Sequence, residues 1–305
     1  MVGIAYVLPY QTNNNIFNLE RFIDWGITII FLLYGLKLNL KDLVKDLSNW
    51  KLHLIIQCST FLLFPILAIA GKFLFIGEEW YLVWLSLYFL ACLPSTVSSS
   101  VVMVSLAKGN MVSAIFNATI SGLIGIVATP FLLDFYIKSN ENVEGNNMVL
   151  ELCLKVLLPL IIGLILNPYL KNFIEKYKNY VAEFDKLIIL LIVYESFSKA
   201  FIANVFTAFP LTHFLVIVLG AVVLFFMVFG ILKVVSRTLR FNYEDTVTTL
   251  FCGSKKSLVH GSVFLSLLAL SADAKVLFLL PIMLYHSFQL FFISWLANKW
   301  GTSKN

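Results

Sequence analysis

The sequence predicts an all-α membrane protein of about ten transmembrane helices arranged as two inverted five-helix repeats. Three observations carry this. Hydrophobic residues make up 60% of the 305 and charged residues 13%, with a mean hydropathy of +0.89, where a soluble domain carries roughly 25% charge. Apolar stretches of the roughly 20 residues needed to cross a bilayer recur along the chain. Two long apolar stretches, Tyr81 to Asn110 and Asp245 to Leu270, are interrupted midway by short polar runs. Backbone cannot be left unpaired in hydrocarbon, so such a break is tolerable only around a cavity or a bound solute. Two breaks at matching places in the two halves mark a transporter's binding site.

This composition leaves no room for a soluble catalytic domain. Cys58, Cys92, Cys153 and Cys252 all fall inside apolar segments and read as small packed residues, not as a disulfide framework. No metal-ligand spacing occurs, and no cofactor is expected. The net charge of +5 is no nucleic-acid signal, because the basic residues sit in loops that alternate with spans. The opening MVGIAYVLPY lacks the basic start and small-residue cleavage pattern of a signal peptide.

Spans are expected at about 23–39, 51–74, 80–107 (broken), 111–137, 149–170, 185–207, 212–235, 245–270 (broken) and 275–298. The charged stretch Lys41 to Asp46 reads as a cytoplasmic connector, and the polar run Ser139 to Asn147 as the divider between halves. Starts at 23, 51, 80 and 111 recur at 185, 212, 245 and 275, an offset of roughly 160 residues. Long, broken, long is the order in both halves. Five spans per repeat is an odd number, so the second copy inserts upside down. The first repeat covers about 1–138 and the second about 148–300, with Met1 to Tyr10 as the tail of a first span.

Loop charge sets the orientation. Lys37, Lys41, Lys45, Lys51, Lys108, Lys171, Lys176, Lys178, Lys233, Arg237, Arg240 and Lys304 fall on one side; the other has little beyond Arg21, Lys72, Lys138 and Lys275. The lysine-rich side is expected to be cytoplasmic, with both termini there.

In the first break, Pro94 removes a backbone donor while Ser95, Thr96, Ser98, Ser99 and Ser100 supply hydroxyls. Unwinding there frees carbonyls and amides to hold an ion or an anionic head group; a proline-kinked helix with back-bonded serines is the competing reading. The second break holds Gly253, Ser254, Lys255, Lys256 and Ser257. Lys255 lies about 15 Å deep at 1.5 Å per residue. Burying a lysine there costs roughly 2.5–3.5 kcal/mol, so a functional role with a partner is the default. Neighbouring lysines point about 100° apart on a helix, so one of the two can be structural. Ser113, Asn117 and Ser121 make a polar stripe on the following span, aimed at the crossing or gluing helices together. Glu195 and Lys199, at i and i+4, neutralise each other or line a cavity. His260, His286 and Gln57 are weaker candidates for a relay or a packing role.

The runs LPSTVSSSVVMVSLAKGN, IFNATISGLIGIVATPFLL, FCGSKKSL and LLPIMLYHSFQL resemble the bile acid:sodium symporter family (solute carrier family 10), and within it the sodium/bile acid cotransporter 7 branch. The resemblance covers nearly the whole chain. It implies a core domain, about 51–137 and 212–298, carrying two broken helices that cross at mid-membrane. It also implies a panel domain, about 1–10, 23–39, 149–170 and 185–207, that moves against the core to give alternating access.

Departures from the family pattern are as informative. Where sodium-coupled members have an Asn after the serines of the first break, this chain has Val101. Their Glu and Gln sodium ligands align with Phe251 and Lys255, and their hydroxyl ligands with Ala114 and Ala118, one residue from Ser113 and Asn117. Sodium needs hard oxygen ligands, which have mostly gone while a cation has arrived. The expectation is that the ammonium of Lys255 or Lys256 stands where sodium would sit, and that positive charge draws an anion to the crossing. Na+ and H+ are the candidate coupling ions, with sodium the doubtful one.

The function expected is secondary transport of a small organic anion, with bile acids themselves disfavoured. Two other classes compete with it: a non-transporting membrane regulator of calcium or glycosylation homeostasis that keeps the fold, and an intramembrane hydrolase using a Ser–Lys dyad. The chain carries no EF-hand loop and no GxSxG elbow. The expected setting is a lipid bilayer, most simply a bacterial inner membrane, with no nucleic-acid partner. The oligomeric state is not legible.

Overall fold

The computed structural model describes residues 2–10, 18–37, 49–96, 98–137, 153–202, 210–268 and 270–302. The regular structure among them is all helix. The elements are α1 (Val2–Val7), α2 (Leu19–Lys37), α3 (Trp50–Cys58), α4 (Phe64–Ala70), α5 (Glu78–Cys92), α6 (Ser98–Leu106), α7 (Met111–Ile137), α8 (Leu158–Lys176), α9 (Lys178–Ile202), α10 (Leu211–Thr238), α11 (Tyr243–Gly253), α12 (Leu258–Leu267) and α13 (Ala272–Thr302). A π-turn, Ser59–Leu63, joins α3 to α4, and a second, Cys153–Leu157, leads into α8.

Four helical stretches among the described residues are long and apolar enough to cross a membrane: Trp50–Leu74, Met111–Tyr136, Leu211–Thr238 and Ala274–Thr302. Their outward faces are apolar too. On α10, Leu211, Leu215, Leu219, Val223 and Phe226 form an exposed stripe at helical spacing. Such a stripe is a liability in water and the expected surface in lipid. The broken elements are shorter: α6, α11 and α12 have 9, 11 and 10 residues, about half the length a bilayer-spanning helix needs. Both halves show the expected order of long helix, broken helix, long helix.

Helices extend past their apolar runs. α2 begins at Leu19, not at 23, and α9 at Lys178, not at 185. Hydropathy locates the part of a helix that suits lipid, whereas hydrogen bonding continues through the charged flanking turns. The connector at 41–46 and the divider at 139–147 lie outside the described residues.

The chain divides into two compact units: Met1–Asn39, Ile137–Phe209 and Ser262–Val276 in one, and Leu40–Tyr136, Pro210–Gly261 and Leu277–Asn305 in the other. In the first, α2 and α8 meet backbone to backbone through glycines. A Cβ at Gly35 would lie 2.2 Å from the Leu160 carbonyl oxygen, and one at Gly163 would lie 2.2 Å from that of Leu32. Small residues drive helix association in lipid because they permit this approach. Asn167 closes the contact by donating to the Leu36 carbonyl at 2.6 Å.

In the second unit, Phe225 of α10 packs edge-on against Tyr285, Phe288 and Phe292 of α13. Lys72 sits over the rings of Tyr81, Trp84 and Tyr136 at 4.9–5.5 Å, a cation–π cage that shields an ammonium from hydrocarbon.

Candidate functional site

Each break falls where the local sequence stops a helix. Pro94 has no N–H, and its ring pushes the preceding residue out of helical geometry. Leu93 is accordingly extended, with φ −73° and ψ 150°, and α5 ends at Cys92. Gly125 on α7 makes room for the proline, since a Cβ there would lie 2.6 Å from the Pro94 Cβ. The second broken helix starts with an Asn242 cap that accepts from the Asp245 N–H at 2.7 Å. Asn49 and Asn110 both donate to Asp245 Oδ1, at 3.1 and 2.9 Å, and so fix where α11 begins. It ends at Gly253, on which a Cβ would press 2.9 Å from Leu232.

The two breaks bond to each other directly. The Ser257 N–H donates to the Pro94 carbonyl at 2.9 Å, and the Ser95 hydroxyl donates to the Cys252 carbonyl at 2.7 Å. Lys255 Nζ donates to the Ser99 carbonyl at 2.9 Å. Lys256 Nζ donates to the carbonyls of Ala91 and Leu93, at 2.7 Å each, and to that of Thr60 at 2.8 Å. The Phe64 ring centroid lies 4.1 Å from the same nitrogen.

The carbonyls released by breaking the helices are matched almost one to one. On the first break, Ala91 and Leu93 are served by Lys256, Cys92 by the Thr129 hydroxyl at 2.8 Å, and Pro94 by the Ser257 amide. On the second, Cys252 is served by Ser95, Gly253 by the Ser59 hydroxyl at 2.9 Å, Ser254 by the Tyr285 hydroxyl at 2.7 Å, and Lys256 by Gln289 Nε2 at 2.8 Å. Gln289 Oε1 also accepts from the Lys256 N–H at 2.8 Å, so one amide pairs both backbone groups of that residue. In hydrocarbon every such group must find a partner inside the protein.

The residues singled out from the sequence fall into three groups. Gly253, Ser254, Lys255, Lys256, Ser257, Ser99 and Ser121 meet at the crossing, where Ser121 accepts from the Ser95 N–H at 2.9 Å. Ser98 opens α6, and behind it the Thr96 hydroxyl pairs with those of Ser99 and Ser100, at 2.9 Å each. Ser257 Oγ lies 3.0 Å from His260 Nδ1 and also accepts from the His260 N–H at 3.3 Å, so this serine caps the helix that carries the histidine.

A second group is the polar stripe on α7. Asn117 Nδ2 bonds the Ser113 carbonyl and His53 Nδ1, at 2.8 Å each, while Gln57 donates to Asn117 Oδ1 at 3.1 Å. The Gln57 Oε1 atom is buried without a partner among the described residues. The third group belongs to the other compact unit. There Lys199 pairs with Glu195, as its spacing suggested, and also with Glu20 at 2.7 Å.

Several participants were not read from the sequence: Ser59, Thr60, Thr129, Tyr285 and Gln289. Gln289 had a signal, since a lone amide three residues after His286 in an apolar helix needs a partner; His286 Nδ1 lies 2.9 Å from Gln289 Nε2. The remaining contributions are mostly carbonyls, which no side-chain pattern announces. Among the described residues both ammonium groups bond backbone carbonyls, Ser99 for Lys255 and Thr60, Ala91 and Leu93 for Lys256. Phe251 stacks on Trp300 at 5.5 Å.

The sequence matches the SBF-like CPA transporter family over residues 1–302. An uncharacterised protein of Pseudomonas aeruginosa is 32% identical over 282 residues, covering 92% of this chain and 84% of that one. YfeH of Escherichia coli K12, named only as a candidate symporter, is 32% identical over 281 residues with the same coverage. Sodium/bile acid cotransporter 7 of Mus musculus is 31% identical over 274 residues, covering 87% of this chain and 78% of its own length.

Proposed function

The chain belongs to the SBF-like CPA transporter family, and from that premise we propose that it moves a small organic anion through the crossing of its two broken helices by alternating access. It is a multi-pass integral membrane protein and a transporter, like the family and its named relatives. The observation that carries the anion is Lys255. Its side chain is fully buried, yet its ammonium has a single acceptor, the Ser99 carbonyl, and no carboxylate partner among the described residues. An ammonium has three donors. Two remain for a solute, beside the first turn of α6, where the helix dipole adds positive potential. A buried, partly matched cation in a membrane protein is a substrate site by default.

The two halves are inverted repeats of a ten-span fold. Residues about 51–137 and 212–298 form a core that moves against a panel of about 1–10, 23–39, 149–170 and 185–207. Both termini face the cytoplasm of a bacterial inner membrane. Cotransport with sodium is named for the cotransporter 7 relatives; here a cation gradient is either unused or is one of protons.

The test is uptake of labelled organic anions into proteoliposomes, chosen by a thermal-shift screen of the purified protein in sodium-free buffer. A ligand that binds the folded state raises the melting temperature by mass action. Saturable uptake by wild type that is lost in Lys255→Gln supports the reading. Unchanged uptake by Lys255→Gln removes Lys255 from the site, and absence of any anion flux removes the carrier.

A further inference from the structure

The residues at the crossing do not fit a resident sodium ion. Phe251, just before the second break, offers a phenyl ring stacked on Trp300 and no oxygen, and the carbonyls of Thr60, Ala91 and Leu93 already converge on Lys256. We infer that Lys256 is the protein's own tethered cation, and that removing its side chain leaves behind a latent site for a free monovalent cation. The inference deepens the carrier reading, because it says what holds the crossing's geometry in place of a dissociable ion.

Three features support it. The first is stoichiometry. The ammonium has three N–H donors and three carbonyl oxygens at 2.7–2.8 Å, so every donor is used and no other polar group is needed. A neutral amine has only two N–H donors and would leave one oxygen unpaired. The second is the open side of the cage, closed by the Phe64 ring at 4.1 Å, a surface that attracts a cation and offers nothing to an anion. The third is topology. Thr60 lies in the π-turn, Ala91 in the last turn of α5, Leu93 in the first break, and Lys256 itself is in the second. The Lys256 backbone is held by both ends of the Gln289 amide. One charge thus joins three separate chain segments, as an ion would, but it cannot dissociate. Lys255, one residue earlier, lacks all three features.

The protein is therefore held permanently in the geometry of a cation-loaded carrier, and sodium has nowhere to bind until Lys256 is shortened. Lys256→Ala deletes the equivalent of n-propylammonium and leaves the three oxygens and the ring. The experiment is thermal unfolding of purified wild type, Lys256→Ala and Lys256→Met in choline buffer, titrated with n-propylammonium, sodium, potassium or more choline. Wild type should respond to sodium no more than to choline. Lys256→Ala should melt lower, and n-propylammonium should restore several degrees saturably, with a smaller response to sodium or potassium. Lys256→Met, which fills the space without charge, should respond to none of them. A saturable sodium response in wild type overturns the inference, as does an alkylammonium response in Lys256→Ala no larger than that of Lys256→Met. If Lys256→Ala yields no folded protein, the wild-type titration still decides, together with Lys256→Met, whose melting at the wild-type temperature would also overturn it. Because the readout is binding, loss of anion flux would remove the carrier reading and leave this one standing.

Discussion

The two helix breaks face the same problem and solve it with different donors. The second break has its carbonyls met by neutral groups: the hydroxyls of Ser95, Ser59 and Tyr285 and the amide of Gln289. The first relies on a charge, because Lys256 serves two of its four carbonyls and reaches a third oxygen in the π-turn. Neutral donors are local and separable, each fixing one carbonyl. The ammonium is shared, so its loss unties three places at once. The difference teaches that a break in a membrane helix is closed either by many weak ties or by one strong one.

The comparison can be broken most severely at Lys256. Lys256→Met leaves the carbonyls of Thr60, Ala91 and Leu93 buried and unpaired, at about 1–3 kcal/mol each. The expected result is a fall in melting temperature of more than about 10 °C, read by thermal unfolding in detergent. Lys256→Gln, with two donors, should fall between Met and wild type. A Met variant as stable as wild type would mean that the first break closes without a cation.

On the second break the expected losses are smaller and independent. Ser95→Ala strips the Cys252 carbonyl, and Ser59→Ala strips that of Gly253; each should cost about 1–2 kcal/mol. Their double variant tests separability. The losses should add to within about 0.5 kcal/mol, since neither hydroxyl shares an acceptor with the other. Strong coupling would make the second break as unitary as the first. Thr129→Ala should cost about 1 kcal/mol, because it removes the hydroxyl that serves the Cys92 carbonyl on the first break.

The smallest expected change in stability belongs to Lys255. Its ammonium has one bond and full burial, so Lys255→Gln gives up a single charge-assisted hydrogen bond and the desolvation of an ammonium together. Stability should stay within about 1 kcal/mol of wild type, while binding of the transported anion falls at least tenfold by calorimetry. That separation sharpens the contrast between adjacent lysines, one holding the fold and the other facing the solute. A Lys255→Gln protein that unfolds like Lys256→Met would erase it.

Much of this was legible in the sequence. The breaks at Pro94 and at Gly253–Ser257 were located by polarity within apolar runs, and the long–broken–long order by their spacing. The pair Glu195 and Lys199 was read from helical periodicity, although its third member, Glu20, comes from α2 and lies too far away in sequence for that rule to reach. Nothing in the sequence distinguished Lys255 from Lys256. That distinction depends on which amine meets three carbonyls, and carbonyls belong to every residue alike. Ser59 and Thr60 escaped notice for a related reason, since hydroxyls in an apolar span usually back-bond to their own helix; Thr60 Oγ1 does so, to the Ile56 carbonyl, while its backbone oxygen turns to the lysine.

The π-turn at Ser59–Leu63 has one more consequence. A π-turn is an α-helix with one residue inserted. Excising a single residue there would heal the helix and swing α3 by about 100° relative to α4. Thr60 and Phe64 could then no longer both address the same nitrogen, and Ser59 would lose its register with Gly253. Among single-residue deletions in a lipid-spanning segment, this one would read as a repair to a helix-propensity scale and as a derailment to the molecule.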